Sequence, residues 1–326
     1  MPDLSTTYMG LRLSNPLIAG SSGLTGTVKG VRGMQEGGFG AIVLKSIFEE
    51  EIAAEYELIT GDAKRKGMSL ESYDYYDYEV RGDRVTAYVR LVGEAKQALT
   101  IPLIASINCT WSHEWVSFAK EIEAAGADGL ELNMYFLPSD LKRSSEEREA
   151  EYFRIVEKVL AQVRIPVALK ISTSFSTLGQ MIERLSRTGI AALVLFNRYY
   201  AIDFDIESIS VTRSHMLSSP EEIATPLRWL ALMARRVGCD LAGSTGIHDG
   251  TGVIKCLLAG ARAVQCVSAA YRKGPVCASA MLKELESWMD RHGCKTLGDF
   301  TGRLSQAASE DPAVYERVQF MKHYGR

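Results

Sequence analysis

The sequence predicts an α/β protein, a closed (β/α)8 TIM barrel with insertions on its rim after the second and the sixth barrel strand. Eight short runs rich in Val, Ile, Leu and Ala recur along the chain. Most are followed by a stretch with helical spacing, and several of these stretches end on Gly, as helix C-termini prefer. Strands that are apolar on both faces and alternate with helices are typical of a parallel sheet covered by helices, and eight such units close a barrel.

The predicted strands follow one another at regular intervals. The first four are LIAGS (17–21), AIVLKS (41–46), PLIASIN (102–108) and GLELN (129–133), and the last four are VALKIS (167–172), ALVLFN (192–197), DLAGST (240–245) and AVQCVS (263–268). The amphipathic helices predicted between them are HEWVSFAKEIEAAGA, EEREAEYFRIVEKVLAQV, TLGQMIERLSRTGI, PLRWLALMARRVG and GVIKCLLAGA. A doubly wound open sheet is the alternative arrangement of the same elements.

The length of 326 residues suits either two ordinary domains or one barrel of about 250 residues with insertions. We expect a single domain over residues 1–326. Residues 47–86 form one long connection; it contains SLESYDYYDYEV, whose tyrosines either pave a pocket lid or pack a surface hairpin. The other, residues 198–217, is rich enough in β-branched and aromatic side chains for a small hairpin. Long loops in compact domains are usually functional or disordered, and both follow strands, which places them on the catalytic rim.

Charge and cysteine usage exclude several classes of protein. The 37 basic and 40 acidic residues give a formal charge of −3 without a polybasic arm, which argues against nucleic acid or an anionic membrane as the main partner. No secretion signal or membrane-spanning run is present, so we expect a cytoplasmic protein. The six cysteines form no CxxC pair and have no His at ligand spacing, so we expect buried thiols and no metal site.

Polar residues end the predicted strands, where a barrel has its active-site mouth. On its own, a terminal Asn can cap the next helix and a Lys can reach solvent. Several lysines and asparagines converging on one rim are harder to explain in this way, because a buried ammonium is costly unless it meets an anion. The set therefore predicts a polar, negatively charged ligand. These strand-end residues are Ser21, Ser22, Lys45, Ser46, Asn108, Asn133, Lys170, Asn197, Thr245 and Ser268.

Two Gly- and Ser-rich turns indicate where a phosphate would bind. GSTGIHDGTG (243–252) and SAAYRKGP (268–275) follow the last two strands and lead into helices, so their backbone N–H groups can cradle a phosphate. Together with the strand-end Lys and Asn residues, they suggest a phosphorylated heteroaromatic cofactor across the barrel mouth. FMN fits, since a Lys beside its ring would stabilise the anionic reduced form.

The motifs NPLIAGSSG, GAIVLKSI, ASIN, GADGLELN, PVALKIS, VLFN and AGSTGIHDGTGVIKCLLAGARAVQCVSA occur in the order and at the spacing of the dihydroorotate dehydrogenases. The chain resembles this family over most of residues 4–270. The resemblance implies an FMN-containing barrel that oxidises dihydroorotate to orotate in pyrimidine biosynthesis, and the soluble class rather than the membrane-bound one.

Site residues follow from this resemblance. Lys170 would lie near flavin N1, Asn133 would reach both flavin and substrate, and Asn197 would bind the substrate. The other implied cofactor-binding residues are Gly20, Ser21, Ser22, Lys45, Ser46 and Asn108 around the flavin, and Gly243, Ser244, Thr245, Gly246, Val267 and Ser268 around the phosphate.

The loop after the fourth strand departs from the family pattern. There the family has LSCPN or VSSPN, whose Cys or Ser is the catalytic base, but this chain has Phe136 at the base position and Pro138 at the final Asn. A Phe side chain cannot accept a proton, and a Pro side chain cannot hydrogen-bond a substrate as Asn does. Tyr135 or Ser139 would be the replacement proton acceptor, in addition to the catalytic Lys45 and Lys170.

Further departures lie on the substrate side and in the phosphate motif. Lys45 is followed by an acidic IFEEEIAAEYE run where the family has an Asn-rich segment, and Val267 replaces a glycine. Arg198 replaces a frequent Thr; it would either clamp a substrate carboxylate or pair with Asp203 or Asp205. We therefore expect a flavoprotein whose small-molecule substrate need not be dihydroorotate.

Two other functions remain open from the sequence. One is a Schiff-base lyase that uses Lys170 or Lys45, and the other is a flavin-binding protein without dihydroorotate activity. The chain contains neither a Cys-rich iron–sulfur segment nor a GxGxxG motif, so an NAD route would need a partner subunit. By analogy with the family, a homodimer is expected.

Overall fold

The computed structural model describes residues 2–48, 70–108, 115–134, 136–198, 201–214 and 216–316, with residues 48, 70–83, 115–117, 201 and 213–214 described by their backbone alone. An antiparallel hairpin, β1 (Thr6–Tyr8) and β2 (Leu11–Leu13), opens the chain. The remaining strands are β3 (Leu17–Ala19), β4 (Ala41–Val43), β5 (Ile47–Phe48), β6 (Leu103–Asn108), β7 (Gly129–Asn133), β8 (Val167–Ile171), β9 (Ala192–Leu195), β10 (Ala201–Asp205), β11 (Ser210–Ser214), β12 (Asp240–Ser244) and β13 (Ala263–Cys266).

Eight of these strands form a closed parallel barrel. They follow one another around it in the order β3, β4, β6, β7, β8, β9, β12 and β13, and β13 pairs in parallel with β3 to complete the circle. Each predicted strand run contains one barrel strand. The predicted (β/α)8 barrel is therefore confirmed, and the open-sheet alternative is wrong because each of these eight strands pairs with a neighbour on both sides.

Strand alternation sorts the side chains into an outer and an inner layer. In β7, Leu130 and Leu132 belong to the large core beneath the helices, while Glu131 and Asn133 have the opposite parity and face the lumen. A second, smaller core fills the lumen towards the amino ends of the strands. It comprises Tyr8, Met9, Leu13, Ile18, Ala41, Val43, Ile104, Ala168, Ala192, Val194, Ala242 and Ala263. The β1–β2 hairpin thus plugs one end of the barrel, and the polar lumen residues lie towards the other.

Helices cover the outside of the barrel. Their bounds are α1 (Val28–Glu36), α2 (Leu70–Ala98), α3 (Trp115–Ala124), α4 (Ser145–Leu160), α5 (Leu178–Ser186), α6 (Ala224–Met233), α7 (Gly250–Ala259), α8 (Ser268–Lys273) and α9 (Cys277–Arg291). Side-chain hydrogen bonds define where two of these helices begin. Ser144 and Glu147 form a capping box at α4, and Asp249 caps α7 by accepting from the Gly252 N–H. Over the described ranges, none of these helices has the length and apolar character needed to cross a bilayer.

Both long connections contain secondary structure. Residues of SLESYDYYDYEV lie in α2, so the surface-hairpin interpretation of this segment is wrong; residues 49–69 of the same insertion lie outside the described part of the chain. Helix α2 docks on the barrel through Tyr88, whose hydroxyl donates to the Ser106 carbonyl and accepts from the Ser106 N–H, both at 2.9 Å. The second connection forms the antiparallel hairpin β10–β11, which confirms the hairpin prediction.

Candidate active site

A cleft of about 240 Å³ opens at the carboxyl ends of the barrel strands. It lies above the polar layer of the lumen, where barrel enzymes have their active sites. Many residues predicted from strand ends line it together, and residues from the β11–α6 segment complete its wall. The lining consists of Ser21, Lys170, Asn197, Arg198, Met216, Ser218, Ser244, Thr245, Gly246, Ile247, Gln265, Val267 and Ser268.

Lys170 is held at the inner end of the cleft by a buried polar chain that spans the lumen. Its ammonium donates to Oε1 of Gln265 at 2.8 Å, and Nε2 of Gln265 donates to Oε2 of Glu131. Lys170 is 6 % exposed, Gln265 2 % and Glu131 1 %. Because the three residues come from β8, β13 and β7, the rigid barrel itself fixes their relative positions.

Burial and charge act in opposite directions on this chain. Burial lowers the pKa of Lys170, and the nearby Glu131 carboxylate raises it. Burial raises the pKa of Glu131, while Lys170 and the hydrogen bond from Gln265 lower it. Each ion therefore supports the charged form of the other in a site that disfavours charge. Burial is the larger effect on both groups, so the pKa of Lys170 is lowered and that of Glu131 is raised.

Two asparagines lie side by side at the barrel mouth. Nδ2 of Asn197 donates to Oδ1 of Asn133 at 2.7 Å, and Oδ1 of Asn197 accepts the Arg198 N–H at 2.8 Å. The bond fixes both amides, so their remaining polar atoms have a defined direction. Asn108 is buried at the end of the neighbouring strand, in register with Asn133.

Arg198 pairs with a residue that the sequence did not suggest. Its Nε donates to Oε2 of Glu222 at 2.6 Å and its Nη1 to the Met216 carbonyl at 3.3 Å. The expected alternative partners, Asp203 and Asp205, lie on the exposed hairpin β10. Arg198 thus lines the cleft with its charge partly offset by Glu222.

A chain of hydroxyl groups begins at Ser21 in the cleft lining and leads into the protein. The Ser21 hydroxyl lies 3.0 Å from that of Ser46 and accepts the Ser46 N–H, and the Ser46 hydroxyl lies 2.7 Å from that of Ser106. Lys45 and Ser46 line a separate open depression against α2 rather than this cleft. Ser22 lies at the start of the short turn that follows β3, where its N–H donates to the Thr25 hydroxyl.

The outer end of the cleft is rich in hydrogen-bonding groups. The Ser218 hydroxyl accepts the Gly246 N–H at 3.3 Å, donates to the Ser268 hydroxyl at 3.0 Å and lies 3.2 Å from Nε2 of His248. Ser218 and His248 are both buried. Gly246 has a φ of +78°, and a Cβ there would lie 2.1 Å from the Ile223 nitrogen, so only glycine allows this approach.

Two other glycines of the predicted site have steric explanations. A Cβ on Gly20 would lie 2.8 Å from Cγ2 of Val267, so the valine side chain occupies space that the glycine leaves open. A Cβ on Gly243 would lie 3.1 Å from both Cys256 and Leu230, on the helix side of β12. Gly243 is therefore explained by close helix packing, and it does not line the cleft.

The loop after β7 turns its aromatic residue away from the cleft. Met134 is fully buried and its N–H donates to the Lys170 carbonyl at 2.9 Å. The Phe136 ring packs edge-on against Tyr152, with ring centroids 5.2 Å apart, in a separate depression. Ser139 is exposed, and Tyr135 lies outside the described residues.

The sequence prediction missed five residues of the site, although part of the signal was present. Glu131 stands two positions before Asn133 in an apolar strand, and Gln265 stands in the middle of the last strand, so strand parity alone directs both into the lumen. Ser218, His248 and Glu222 join the site through loops whose course the sequence pattern does not define.

Comparisons with known proteins agree over nearly the whole chain. Residues 3–289 match the family model described as dihydroorotate dehydrogenase. The chain is 26 % identical to a dihydroorotate dehydrogenase B (NAD(+)) catalytic subunit from Thermoplasma volcanium, over 93 % of this chain and 98 % of that protein. It is 25 % identical to a putative dihydroorotate dehydrogenase A (fumarate) from Aeropyrum pernix, over 94 % and 99 % of the two chains.

A solved structure shares the fold. The crystal structure of DHODH from Eimeria tenella in complex with ferulenol matches with a TM-score of 0.65 and 16 % sequence identity, over 93 % of this chain and 88 % of that one.

Proposed function

Because this chain belongs to the dihydroorotate dehydrogenase family, we propose that it is an FMN-dependent oxidoreductase that acts on a CH–CH group of a small substrate. The family makes it a dihydroorotate dehydrogenase-like oxidoreductase. The proposal adds the cofactor, the residues that hold it and the class of substrate. The observation that carries it is the buried Lys170 ammonium, fixed by Gln265 at the inner end of the cleft.

The donor set of the cleft fits FMN. A cationic Lys lies at one end, and hydroxyls, a backbone N–H and an imidazole cluster at the other end around Ser218. Arg272 and Lys273 place positive charge next to this cluster, as their effect on His248 indicates. Bound FMN would supply a centre that accepts a hydride and passes on its electrons.

Each group of residues has a separate task in this proposal. Lys170 would face the part of the ring that becomes negative on reduction, and because the lysine is buried its charge would act more strongly there than in water. Ser218, Ser268 and the Gly246 backbone would bind the phosphate. The linked amides of Asn133 and Asn197 would orient the substrate against the ring.

The substrate side of the site differs from the family pattern, so we propose a substrate other than dihydroorotate within the same reaction class. Phe136 occupies the sequence position of the base but packs on Tyr152. A proton acceptor from the same loop, Tyr135 or Ser139, is proposed in its place. Arg198 would favour a substrate with a carboxylate or carbonyl group near the Asn197 end of the cleft.

Anaerobic titration of the FMN-loaded protein with candidate substrates tests this proposal. Dihydroorotate and other small saturated acids are added in turn while the flavin absorbance is recorded, and fumarate or a quinone is then added. Bleaching by at least one acid and recovery with an acceptor would support an oxidoreductase. If the loaded protein were bleached by dithionite but by no acid, a flavin-binding protein without this activity would be the better description.

A Schiff-base lyase is the second candidate, because burial lowers the pKa of Lys170 and a neutral amine is the nucleophile in that chemistry. Borohydride trapping with a carbonyl substrate discriminates between the two. Covalent labelling of Lys170 would support the lyase, whereas an unmodified lysine supports the oxidoreductase.

A further inference from the structure

We propose that Glu131 and Gln265 are positioning residues that hold the Lys170 ammonium at the inner end of the cleft and keep it charged. Gln265 lines the cleft beside Lys170, whereas Glu131 lies behind it and is not part of the lining. Both act through Lys170, and the consequence for a bound flavin rests on the function proposed above. The inference about Lys170 itself can be tested without any cofactor.

The geometry of Gln265 carries the first step. Its amide has an acceptor end, which receives the Lys170 ammonium, and a donor end, which reaches Glu131. The opposite orientation would place the NH2 group against the ammonium and the carbonyl against the carboxylate. The amide is therefore oriented by two opposite charges, and it fixes the position of Lys170 Nζ across the lumen.

The incomplete hydrogen bonding of Glu131 carries the second step. Among the described residues its Oε1 is buried without a hydrogen-bond partner, whereas Oε2 is bonded to Gln265. A half-satisfied buried carboxylate costs stability, and apolar replacements of such groups are often neutral or stabilising. A residue retained only for stability would not be expected to have this environment. The carboxylate is instead explained by the charge it provides to the lumen.

Charge coupling carries the third step. Among groups packed around this layer, Glu131 acts on Lys170, on Tyr8 and on Tyr88, and it raises the pKa of each of them. Burial disfavours the ammonium of Lys170, so the carboxylate is the group that offsets burial. Without it, the lysine would lose its proton at a lower pH.

The test measures the titration of Lys170 in FMN-free protein. NMR of protein labelled with 13C at lysine Cε follows each lysine across the pH range, and Lys170→Met identifies the signal of Lys170. In Glu131→Gln we expect the pKa of Lys170 to fall by about one unit or more, because the offsetting charge is gone. An unchanged pKa would overturn the proposal.

A charge swap separates positioning from a merely structural role. In the double variant Glu131→Gln/Gln265→Glu, the carboxylate moves next to the ammonium, so the pKa of Lys170 should return to at least its original value. Asp240→Asn is the matched control, since it removes a carboxylate from the amino end of β12, where Asp240 accepts the Met9 N–H. It should leave the titration of Lys170 unchanged, and a swap variant that fails to recover the pKa would contradict the proposal.

The consequence for the flavin is measured separately, as the reduction potential of FMN-loaded wild type, Glu131→Gln and the swap variant. A lower potential in Glu131→Gln that the swap restores would support the complete inference. Failure of the protein to bind FMN would contradict the proposed function but leave the result on Lys170 intact. An altered pKa with an unaltered potential would overturn the link between the two.

Discussion

Nζ of Lys170 lies 2.8 Å from Oε1 of Gln265, and the bond crosses the lumen between β8 and β13. Both residues are buried, and both stand one level above the apolar plug of the barrel. The relationship places the proposed positive charge of Lys170 at the inner end of the cleft, which Arg198 also lines. The proposed cofactor site depends on this charge more than on any other feature.

Lys170→Met should weaken FMN binding and make the flavin harder to reduce. Loss of a charged hydrogen bond of about 1.5–3 kcal/mol corresponds to roughly a ten- to hundredfold lower affinity, or to a potential about 30–60 mV lower if the loss falls on the reduced form. Fluorescence titration and dye-linked reduction measure the two quantities. Lys96→Met, which removes an ammonium paired with Asp128 outside the lumen, should change neither. Unchanged affinity and potential in Lys170→Met would show that Lys170 does not face the flavin.

Gly20→Ala should destabilise the protein through a contact with Val267. The new Cβ would lie 2.8 Å from Cγ2 of the valine, and overpacking of this kind costs about 1–3 kcal/mol. Val267→Ala should relieve most of that cost in the double variant, so a double-mutant cycle measured by denaturant unfolding should show strong coupling. Additive effects of the two substitutions would mean that the side chains do not meet.

Phe136→Cys should not create dihydroorotate oxidation, although it places a cysteine at the family position of the base. The side chain at 136 points to Tyr152 and away from the cleft, and the two ring centroids are 5.2 Å apart. We expect a loss of about 1–2 kcal/mol in stability, since the partly buried ring loses its aromatic contact, and no gain in turnover. Leu137→Cys, at an exposed neighbouring position, is the control. Dihydroorotate oxidation by the Phe136→Cys protein would contradict this placement of the loop.

The stability of the protein should fall on acidification because of His248. Burial, and the neighbouring Arg272 and Lys273, lower the pKa of His248 below its usual 6.5, although Ser218 and Asp249 act in the opposite direction. Between the lowered folded-state pKa and 6.5, the unfolded chain therefore binds a proton that the folded chain does not. The stabilisation that neutral His248 provides above pH 6.5 is lost as the pH falls through this range. Denaturant midpoints should decline more steeply in this window for wild type than for His248→Gln. Parallel declines would show that His248 does not titrate differently in the two states.

The sequence predicted the barrel more fully than the site, for physical reasons. Apolar runs such as VALKIS and GLELN are buried on both faces, and this pattern does not depend on the conformation of the loops. Helix α2 was missed because SLESYDYYDYEV lacks a clear apolar stripe, and its helical form becomes evident only where Tyr88 docks on Ser106. Residues at strand ends were recognised by their polarity, and five of the ten predicted in this way line the cleft, namely Ser21, Lys170, Asn197, Thr245 and Ser268.

Contacts across the barrel were not readable from the sequence. Gln265 and Glu131 lie 134 positions apart in the chain, and Arg198 reaches Glu222 through a loop that only the fold defines. The same limit applies to Phe136: the sequence shows that a base is replaced, whereas the structure shows that the replacement also points elsewhere.

The visible absorption spectrum of the purified protein shows directly whether the cleft holds FMN. We predict flavin bands as isolated, or after reconstitution with FMN, at a stoichiometry of one FMN per chain, with the bands weakened in Lys170→Met. A colourless protein that takes up no FMN under any reconstitution conditions would contradict the account and favour chemistry on the lysine itself.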